Sequence, residues 1–341
     1  MGVVVFCLVL AVCLVAVDRM FHSLAVSARA ANPEEADEYL RRLSLCETAI
    51  RAWLSAPLAG IGVGGFAWAQ YTIPRPWAGS IAMPPAFNAH DILLQLLAET
   101  GLIGAGLFVA ALVLWLRAAA RRTETGPTPW RTWAVGMVSV ELVHSLFEFP
   151  LWNANFLGVA ALLMGFCDPR LHRMTSGLIS RGLALGAAGI GAVILFTTLH
   201  AELALLYWGT MPPELRSDPV LRQMQEQAMS RVKRSLLAPY GDVITALALP
   251  VARDNAEARI AFLERPMHFW PTAALVQKQI LLLAMTGSND RALALLADLA
   301  RLEPKHLPRL NGELQRIPPA DVPADSPVRQ RLRELAGRQQ R

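Results

Sequence analysis

The residues best suited to chemistry form one polar string that runs into an apolar segment. His90 and Asp91 begin the string, and Gln95 and Glu99 follow on roughly the same side as Asp91 if the segment is helical. An imidazole exchanges protons near neutral pH, so His90 is the candidate general base, and Asp91 or Glu99 is the candidate group that orients it. Asn88 is the expected helix cap. The competing interpretation is a histidine with only a structural role at the start of a helix.

Three arginines are candidates for binding a phosphate group. Arg42, Arg51 and Arg75 lie upstream of His90, and a guanidinium can bind two phosphate oxygens at once. The competing interpretation for each arginine is a solvated helix face. The four cysteines and the other potential ligands show no metal-site or disulfide spacing, so we expect no metal and no cofactor.

A second polar group lies further along the chain. His144 and Glu148 are one helical turn apart, and Pro150 follows them closely. Ionisable groups this close to apolar segments usually pair or line a cavity. The pair therefore either holds a hairpin together or has a functional role such as a gate.

The elements that position these residues are predicted to be membrane helices. The chain is 54% hydrophobic and 17% charged, below the roughly 25% charge of soluble domains. Long apolar runs fall in the first 200 residues, at about 3–17, 90–116, 133–147, 151–166 and 183–199. The fold class is therefore all-α: a polytopic membrane bundle of about five helices with a helical outer domain.

Arginine clusters predict the orientation of these helices. Arg117, Arg121, Arg122 and Arg131 lie between the second and third segments, and 170–181 holds three more arginines between the fourth and fifth. Positive loops stay in the cytoplasm, so we expect the loop 18–89, the turn 148–150 and residues 200–341 to lie on the other side of the membrane. The net charge of +5 is explained in this way, and we expect no nucleic-acid partner. No basic residue precedes the first segment, which favours a helix over a signal peptide.

The external loop has its own structure. Residues 34–55 carry an apolar stripe typical of an amphipathic helix, and Pro57 ends it. Gly60, Gly62 and Gly65 then fit G-x-G-x-x-G, but no strand precedes them, which excludes a dinucleotide site. These glycines are expected to form a tight turn at the membrane surface.

Residues 200–341 read as a separate helical domain, beside a membrane domain at 1–199. Residues 271–304 predict a helix–turn–helix with Gly287 at the turn, similar to a tetratricopeptide repeat, and such repeats often present grooves to partners. The alternative is a folded cap without a ligand. Residues 318–341 are polar and begin Pro-rich, so we expect them to be loosely ordered.

The polar string and the residues upstream of it resemble the motifs of one protein family. His90, ten residues and Gly101 resemble the His-x10-Gly motif of the bacterial O-antigen ligases, and Arg42, Cys46 and 57–62 resemble the upstream motif, with Cys46 in place of the usual Trp. Residues 144–152 and the helical tail are similar to the protein O-oligosaccharyltransferase branch. Family members have about twice as many helices, so we expect this chain to be a C-terminal part.

The resemblance implies glycosyl transfer from an undecaprenyl-pyrophosphate-linked glycan, without metal or ATP. It implies His90, Asp91 and Glu99 as catalytic residues, Arg42, Arg51 and Arg75 as the pyrophosphate site, and His144 and Glu148 as an acceptor site or gate. The expected acceptor is a protein Ser or Thr, such as that of a pilin. The alternatives are an O-antigen ligase or polymerase, acting on lipid A core or on a growing glycan, and a truncated membrane protein without activity.

Overall fold

In the computed structural model the protein is described over residues 33–74, 83–120, 129–167, 178–209 and 218–339. These ranges are helical and contain no strand. The α-helices are α1 Pro33–Ser55, α2 Phe66–Thr72, α3 Ile92–Ala120, α4 Pro129–His144, α5 Ala154–Cys167, α6 Leu178–Gly209, α7 Pro219–Val232, α8 Ala238–Ala248, α9 Ala256–Phe269, α10 Ala273–Met285, α11 Asn289–Leu302, α12 Leu307–Arg316 and α13 Pro327–Gln339. Two short 3-10 turns, Pro150–Trp152 and Pro304–His306, complete the set. The all-α prediction is confirmed.

Two of the described helices are long and apolar enough to cross a membrane, over Ile92–Ala119 and Leu185–Tyr207. Helix α4 has 16 residues and α5 has 14, so at 1.5 Å per residue each is shorter than the roughly 30 Å of a bilayer core. The first predicted segment, 3–17, lies outside the described residues. A bundle of five membrane helices therefore stays a prediction.

Helices α3, α4 and α5 run in alternating directions. The amide of Ile92, at the start of α3, donates to the carbonyl of Ser145 just beyond α4. At the opposite end, Arg131 donates to the carbonyls of Ala118 and Cys167, each at 3.3 Å. Arg131 thus joins the end of α3, the beginning of α4 and the end of α5, as the predicted hairpins require.

Helix α3 is two helices joined at Gly101. The φ and ψ of Gly101 are 65° and −165°, a combination that only glycine adopts readily. The segment that follows α1 fills the break: the amides of Ile61 and Gly62 donate to the carbonyls of Ala98 and Glu99. On the other side, the amides of Leu102 and Ile103 donate to the carbonyls of Pro57 and Leu58. Carbonyls and amides of α3 beside the break are therefore bonded to segment 57–62.

Helices α8 to α13 form an outer helical unit around one apolar core. The fully buried side chains of this core include Leu263, Leu275, Ile280, Leu282, Leu283, Leu296, Leu299, Leu302 and Leu307. Helices α10 and α11 form the predicted helix–turn–helix, and Gly287 between them has a φ of 75°. Likeness to a tetratricopeptide repeat remains a prediction. Helix α6 continues to Gly209, so a domain boundary at residue 200 would fall inside a helix.

The expectation of a loosely ordered tail was wrong. Helix α13 packs against α11 and α12, and Val328 and Leu332 are fully buried. Arg329 explains the order, because its guanidinium donates to the carbonyls of Leu314 at 2.8 Å and Ile317 at 2.7 Å. A buried arginine that satisfies carbonyl groups in this way fixes the tail to the outer helical unit.

Candidate functional site

His90 lies immediately before helix α3, not within its first turn. Asp91 is the residue that caps α3: its Oδ1 accepts hydrogen bonds from the amides of Leu93 at 2.8 Å and Leu94 at 2.9 Å. The expected cap, Asn88, does not make these bonds. His90 has a φ of 57°, a left-handed conformation that is uncommon for residues other than glycine. Unusual backbone geometry of this kind is often retained at functional sites.

The side chain of His90 meets two residues from distant parts of the chain. Its Nδ1 lies 2.8 Å from Oε2 of Glu148, and the other carboxylate oxygen of Glu148 accepts a hydrogen bond from Nη2 of Arg42 at 2.7 Å. Arg42 also donates from Nη1 to the carbonyl of Phe147 at 3.3 Å. The edge of the His90 ring contacts Phe149, with 5.0 Å between ring centroids. We call His90, Glu148 and Arg42 the charged triad.

The electrostatics of the charged triad favour an ionised Glu148. Partial burial alone would raise the pKa of this carboxyl, but hydrogen bonds from His90 and Arg42 outweigh burial and lower the pKa below its usual range. A carboxylate on Nδ1 favours the tautomer whose Nδ1 carries the proton, leaving the Nε2 lone pair to accept another. The side chains of His90 and Glu148 are 27% and 35% exposed, so an incoming substrate can reach them.

Glu99 has a different environment from the one predicted. Its carboxyl group is buried, and the backbone amides of Gly64 and Phe66 and the side chain of Gln95 lie beside it. Gln95 in turn accepts from the amide of Ala89 at 2.8 Å. Glu99 and Gln95 thus position the glycine segment 61–65 and the residues that lead to His90. Neither Glu99 nor Asp91 is the hydrogen-bond partner of the imidazole. The structure places Glu148 there.

Of the remaining arginine candidates, Arg51 lies within the described residues. Arg51 pairs through Nε with Oε1 of Glu47, one turn earlier on α1, at 2.9 Å. Arg75 lies in 75–82, outside the described residues. Cys46 lies one turn after Arg42 on α1 and is mostly buried. Burial raises the pKa of its thiol to about 11; the charge of Asp91 adds to this effect and that of Arg42 opposes it. The motif position normally held by Trp is therefore close to the charged triad.

His144 and Glu148 do not form the expected pair. His144 is exposed at the end of α4, whereas Glu148 points to His90 and Arg42. Within the described ranges, no group of three or more His, Cys, Asp or Glu side chains is arranged to hold a metal ion.

Helix α2 ties the segment between α1 and α3 to the outer helical unit. The hydroxyl of Tyr71 donates to Oε1 of Glu303 at 2.9 Å, and Arg301 donates to the carbonyl of Tyr71 at 2.6 Å. Burial, followed by the charge of Glu303, raises the pKa of the Tyr71 phenol above its usual range, so it is a neutral donor. This segment is thus fixed to α3 on one side and to the outer helical unit on the other.

Comparison with known families gives two matches. Residues 1–109 match the family of O-antigen ligases, and residues 132–310, more than half of the chain, match the family described as virulence factor membrane-bound polymerase, C-terminal. The chain belongs to the O-antigen ligase and polymerase superfamily. Searches for similar curated proteins and for similar solved structures found no match.

Membership of the O-antigen ligase and polymerase superfamily indicates a membrane glycosyltransferase, in agreement with the two apolar helices. In this superfamily member, the ligase match contains Arg42 and His90, and the polymerase match contains Glu148. The charged triad therefore joins the two matched regions. Sequence reasoning selected all three residues but did not bring them together, because 58 residues separate His90 from Glu148.

Proposed function

We propose that this chain transfers an oligosaccharide from an undecaprenyl-pyrophosphate-linked donor to a hydroxyl group, with His90 as the general base. The observation that carries this proposal is the contact of His90 with Glu148 and Arg42 at one end of a helix that is long and apolar enough to cross a membrane. A lipid-linked donor and a polar acceptor meet at such a boundary. The proposal places this end, and the outer helical unit, on the periplasmic side of the inner membrane.

The reaction assigns one task to each member of the charged triad. The acceptor hydroxyl gives its proton to Nε2 of His90 while its oxygen attacks the anomeric carbon of the donor. The bond between that carbon and the pyrophosphate oxygen breaks, and the electron pair leaves with the pyrophosphate. His90 becomes an imidazolium, and the carboxylate of Glu148 on Nδ1 stabilises the new positive charge. Arg42 keeps Glu148 ionised and oriented.

Stabilising the leaving group requires a further positive charge. Arg42, Arg51 and Arg75 remain the proposed pyrophosphate ligands. Arg42 has five N–H donors and a side chain that is 45% exposed, so it can contact a phosphate oxygen while it holds Glu148. The pairing of Arg51 with buried Glu47 makes Arg51 the weaker candidate of these two.

Three acceptors fit the proposal. The similarity of residues 144–152 to the protein O-oligosaccharyltransferases supports a protein Ser or Thr as acceptor, as in a pilin. Exposed His144 would then lie at the acceptor site, near the charged triad. The family matches support an O-antigen ligase or polymerase at least as well, with lipid A core or a growing glycan as acceptor.

The test is to co-express this chain with a lipid-linked glycan pathway and a candidate pilin. The pilin is analysed by mass spectrometry and the lipopolysaccharide by gel electrophoresis. We expect His90→Ala to lower transfer by about 10²–10⁴-fold, the usual contribution of a general base. His200→Ala is the matched control, because His200 is exposed on α6 and has no proposed role.

Each outcome separates two hypotheses. A glycan on pilin Ser or Thr that disappears in His90→Ala supports protein O-glycosylation. An altered lipopolysaccharide ladder with unmodified pilin supports the ligase or polymerase. Transfer at the normal rate by His90→Ala would remove His90 from the mechanism, and no product from any acceptor would favour a membrane protein without activity.

A further inference from the structure

A cavity of about 270 Å³ lies between the glycine segment 61–65 and helices α8 and α9 of the outer helical unit. On one side, the backbone is open: a methyl group at Gly62 would meet no atom within 4 Å, and Val63 is 84% exposed. On the other side lie Asp242, Arg265 and the ring of Phe269. The volume is close to the lower end of the roughly 300–1,000 Å³ found for small-molecule sites.

The polar residues of this cavity are suited to hydroxyl groups. Nε of Arg265 lies 3.4 Å from Oδ2 of Asp242, and the Arg265 side chain is 78% exposed whereas that of Asp242 is 11% exposed. Asp242 accepts hydrogen bonds and Arg265 donates them, so vicinal hydroxyls can use both. Because each charge balances the other, this pair favours a neutral polar ligand over a phosphate.

The aromatic residues complete the match. Phe269 packs edge-on against Tyr240, with 5.0 Å between ring centroids, and Tyr240 is itself 38% exposed. A pyranose ring has an apolar face of C–H groups and a rim of hydroxyls. An aromatic wall beside a carboxylate and a guanidinium meets both needs, since binding sites combine apolar surface with a few placed polar groups.

The cavity is also close to the charged triad. Phe269 contacts Phe87, with 5.9 Å between ring centroids, and Phe87 precedes His90 by three residues. Three residues span at most about 11 Å from Cα to Cα. A glycan whose first sugar reacts beside His90 therefore extends far enough to reach this cavity with a later sugar.

We propose that the cavity between residues 61–65 and helices α8 and α9 binds one sugar unit of the glycan, away from the reacting bond. This proposal rests on the proposed function. Asp242 and Arg265 hold the hydroxyls, and Phe269 contacts the C–H face. The outer helical unit thereby takes part in recognising the glycan.

The test is saturation-transfer NMR on the full chain in a detergent without a sugar headgroup. The probes are methyl glycosides of glucose, galactose, rhamnose and N-acetylglucosamine, and a Ser/Thr-rich peptide is measured separately. We expect ring-proton signals from at least one glycoside. These signals should fall at least fivefold in Arg265→Ala and in Asp242→Asn, and also in Val63→Trp, whose larger side chain fills the open side.

Arg291→Ala is the matched control, because Arg291 is an exposed arginine paired with a carboxylate, Glu264, outside the cavity. It should leave the glycoside signals unchanged. His90→Ala should also bind glycosides normally, so that loss of transfer and loss of sugar binding can be separated. No signal from any glycoside, unchanged signals in Arg265→Ala, or signals from the peptide alone would each overturn the sugar site.

Discussion

The outer helical unit and the membrane-facing helices are held together in different ways. In the outer unit, side chains such as Leu263 and Leu282 are fully buried in an apolar core. On α3 and α6, large side chains such as Leu107, Leu114 and Leu195 are 59–70% exposed. Surfaces of the second kind suit lipid, where apolar burial between helices stabilises little.

The comparison shows where the precision of the site originates. Beside His90, a small buried apolar cluster includes Leu45, Phe66 and Met83. The geometry of the site depends in addition on hydrogen bonds: the crossing of segment 57–62 at the break in α3, the cap by Asp91 and the ion pairs of Glu148. Such bonds are strong where water is scarce. Changes to backbone or charge should therefore matter most near the site, and changes of side-chain volume most in the outer helical unit.

The largest effect is expected from Gly101→Ala. The added Cβ would lie 2.3 Å from the carbonyl oxygen of Leu58, and a side chain in this glycine-only backbone conformation costs a further ~1–3 kcal/mol. We expect loss of transfer and of the native elution profile in size-exclusion chromatography. Gly106→Ala, on the same helix with no atom within 4 Å of its Cβ, should behave as wild type. A fully active Gly101→Ala protein would contradict the crossing.

A smaller and local effect is expected from Leu282→Ala. Truncating a fully buried leucine costs about 2–5 kcal/mol, so amide exchange in α10 should accelerate strongly. Leu114 is 59% exposed, so Leu114→Ala should change the free energy of local opening in α3 by no more than about 0.5 kcal/mol. Hydrogen-exchange mass spectrometry measures both. Equal effects in the two helices would remove the distinction between the two regions.

Glu148→Gln tests the charge beside His90. The variant cannot stabilise an imidazolium as well, so we expect transfer to fall about tenfold, less than the roughly 10²–10⁴-fold loss expected when the base itself is removed. The pKa of Glu148 is lowered in the folded protein, so its contribution to stability is present at neutral pH and is lost as the pH falls through the folded value. Thermal unfolding should therefore distinguish wild type from Glu148→Gln at pH 7 but not at strongly acidic pH.

The matched control for this charge is Glu313→Gln, which breaks the exposed pair with Arg309 in the outer helical unit. It should leave transfer unchanged. If Glu148→Gln also transferred at the normal rate, the contact with His90 would be structural only.

The smallest effect concerns the reactivity of Cys46. With a pKa of about 11, fewer than roughly one thiol in a thousand is ionised at pH 7.5, so alkylation by iodoacetamide should be slow. The rate should rise about tenfold per pH unit up to pH 10. Because the folded pKa is raised, the associated stability is full below about pH 9 and decreases as the pH approaches 11. Peptide mass spectrometry gives the rate, and equal labelling in denaturant and in the native state would contradict burial.

The sequence was sufficient for features that depend on local pattern. Apolar runs predicted the helices that became α3 to α6, and the turn at Gly287 followed from the pattern around it. Motif spacing selected His90, Arg42 and Glu148 as candidates. Local pattern also misled: Glu148 was paired with His144, its neighbour one turn away, although its partners are 58 and 106 residues distant.

Long-range contacts explain the other differences. Asn88 and Asp91 are both residue types that cap helices well. Because α3 begins at Ile92, Asp91 is the residue in the capping position. The order of the tail depends on Arg329 reaching carbonyls of α12 and the segment beyond it, which composition does not reveal. Glu99 could be assigned to the glycine segment only once the crossing at Gly101 was known.

The crossing also sets how the chain tolerates insertions. Pro57 and Leu58 accept hydrogen bonds from one half of α3, and Ile61 and Gly62 donate to the other half. The two residues between them must span the break, and one inserted residue would displace one half of this ladder by about 3.3 Å. Segment 57–62 therefore has a fixed length, and a change of length there would be felt at His90 without any change in the residues around it.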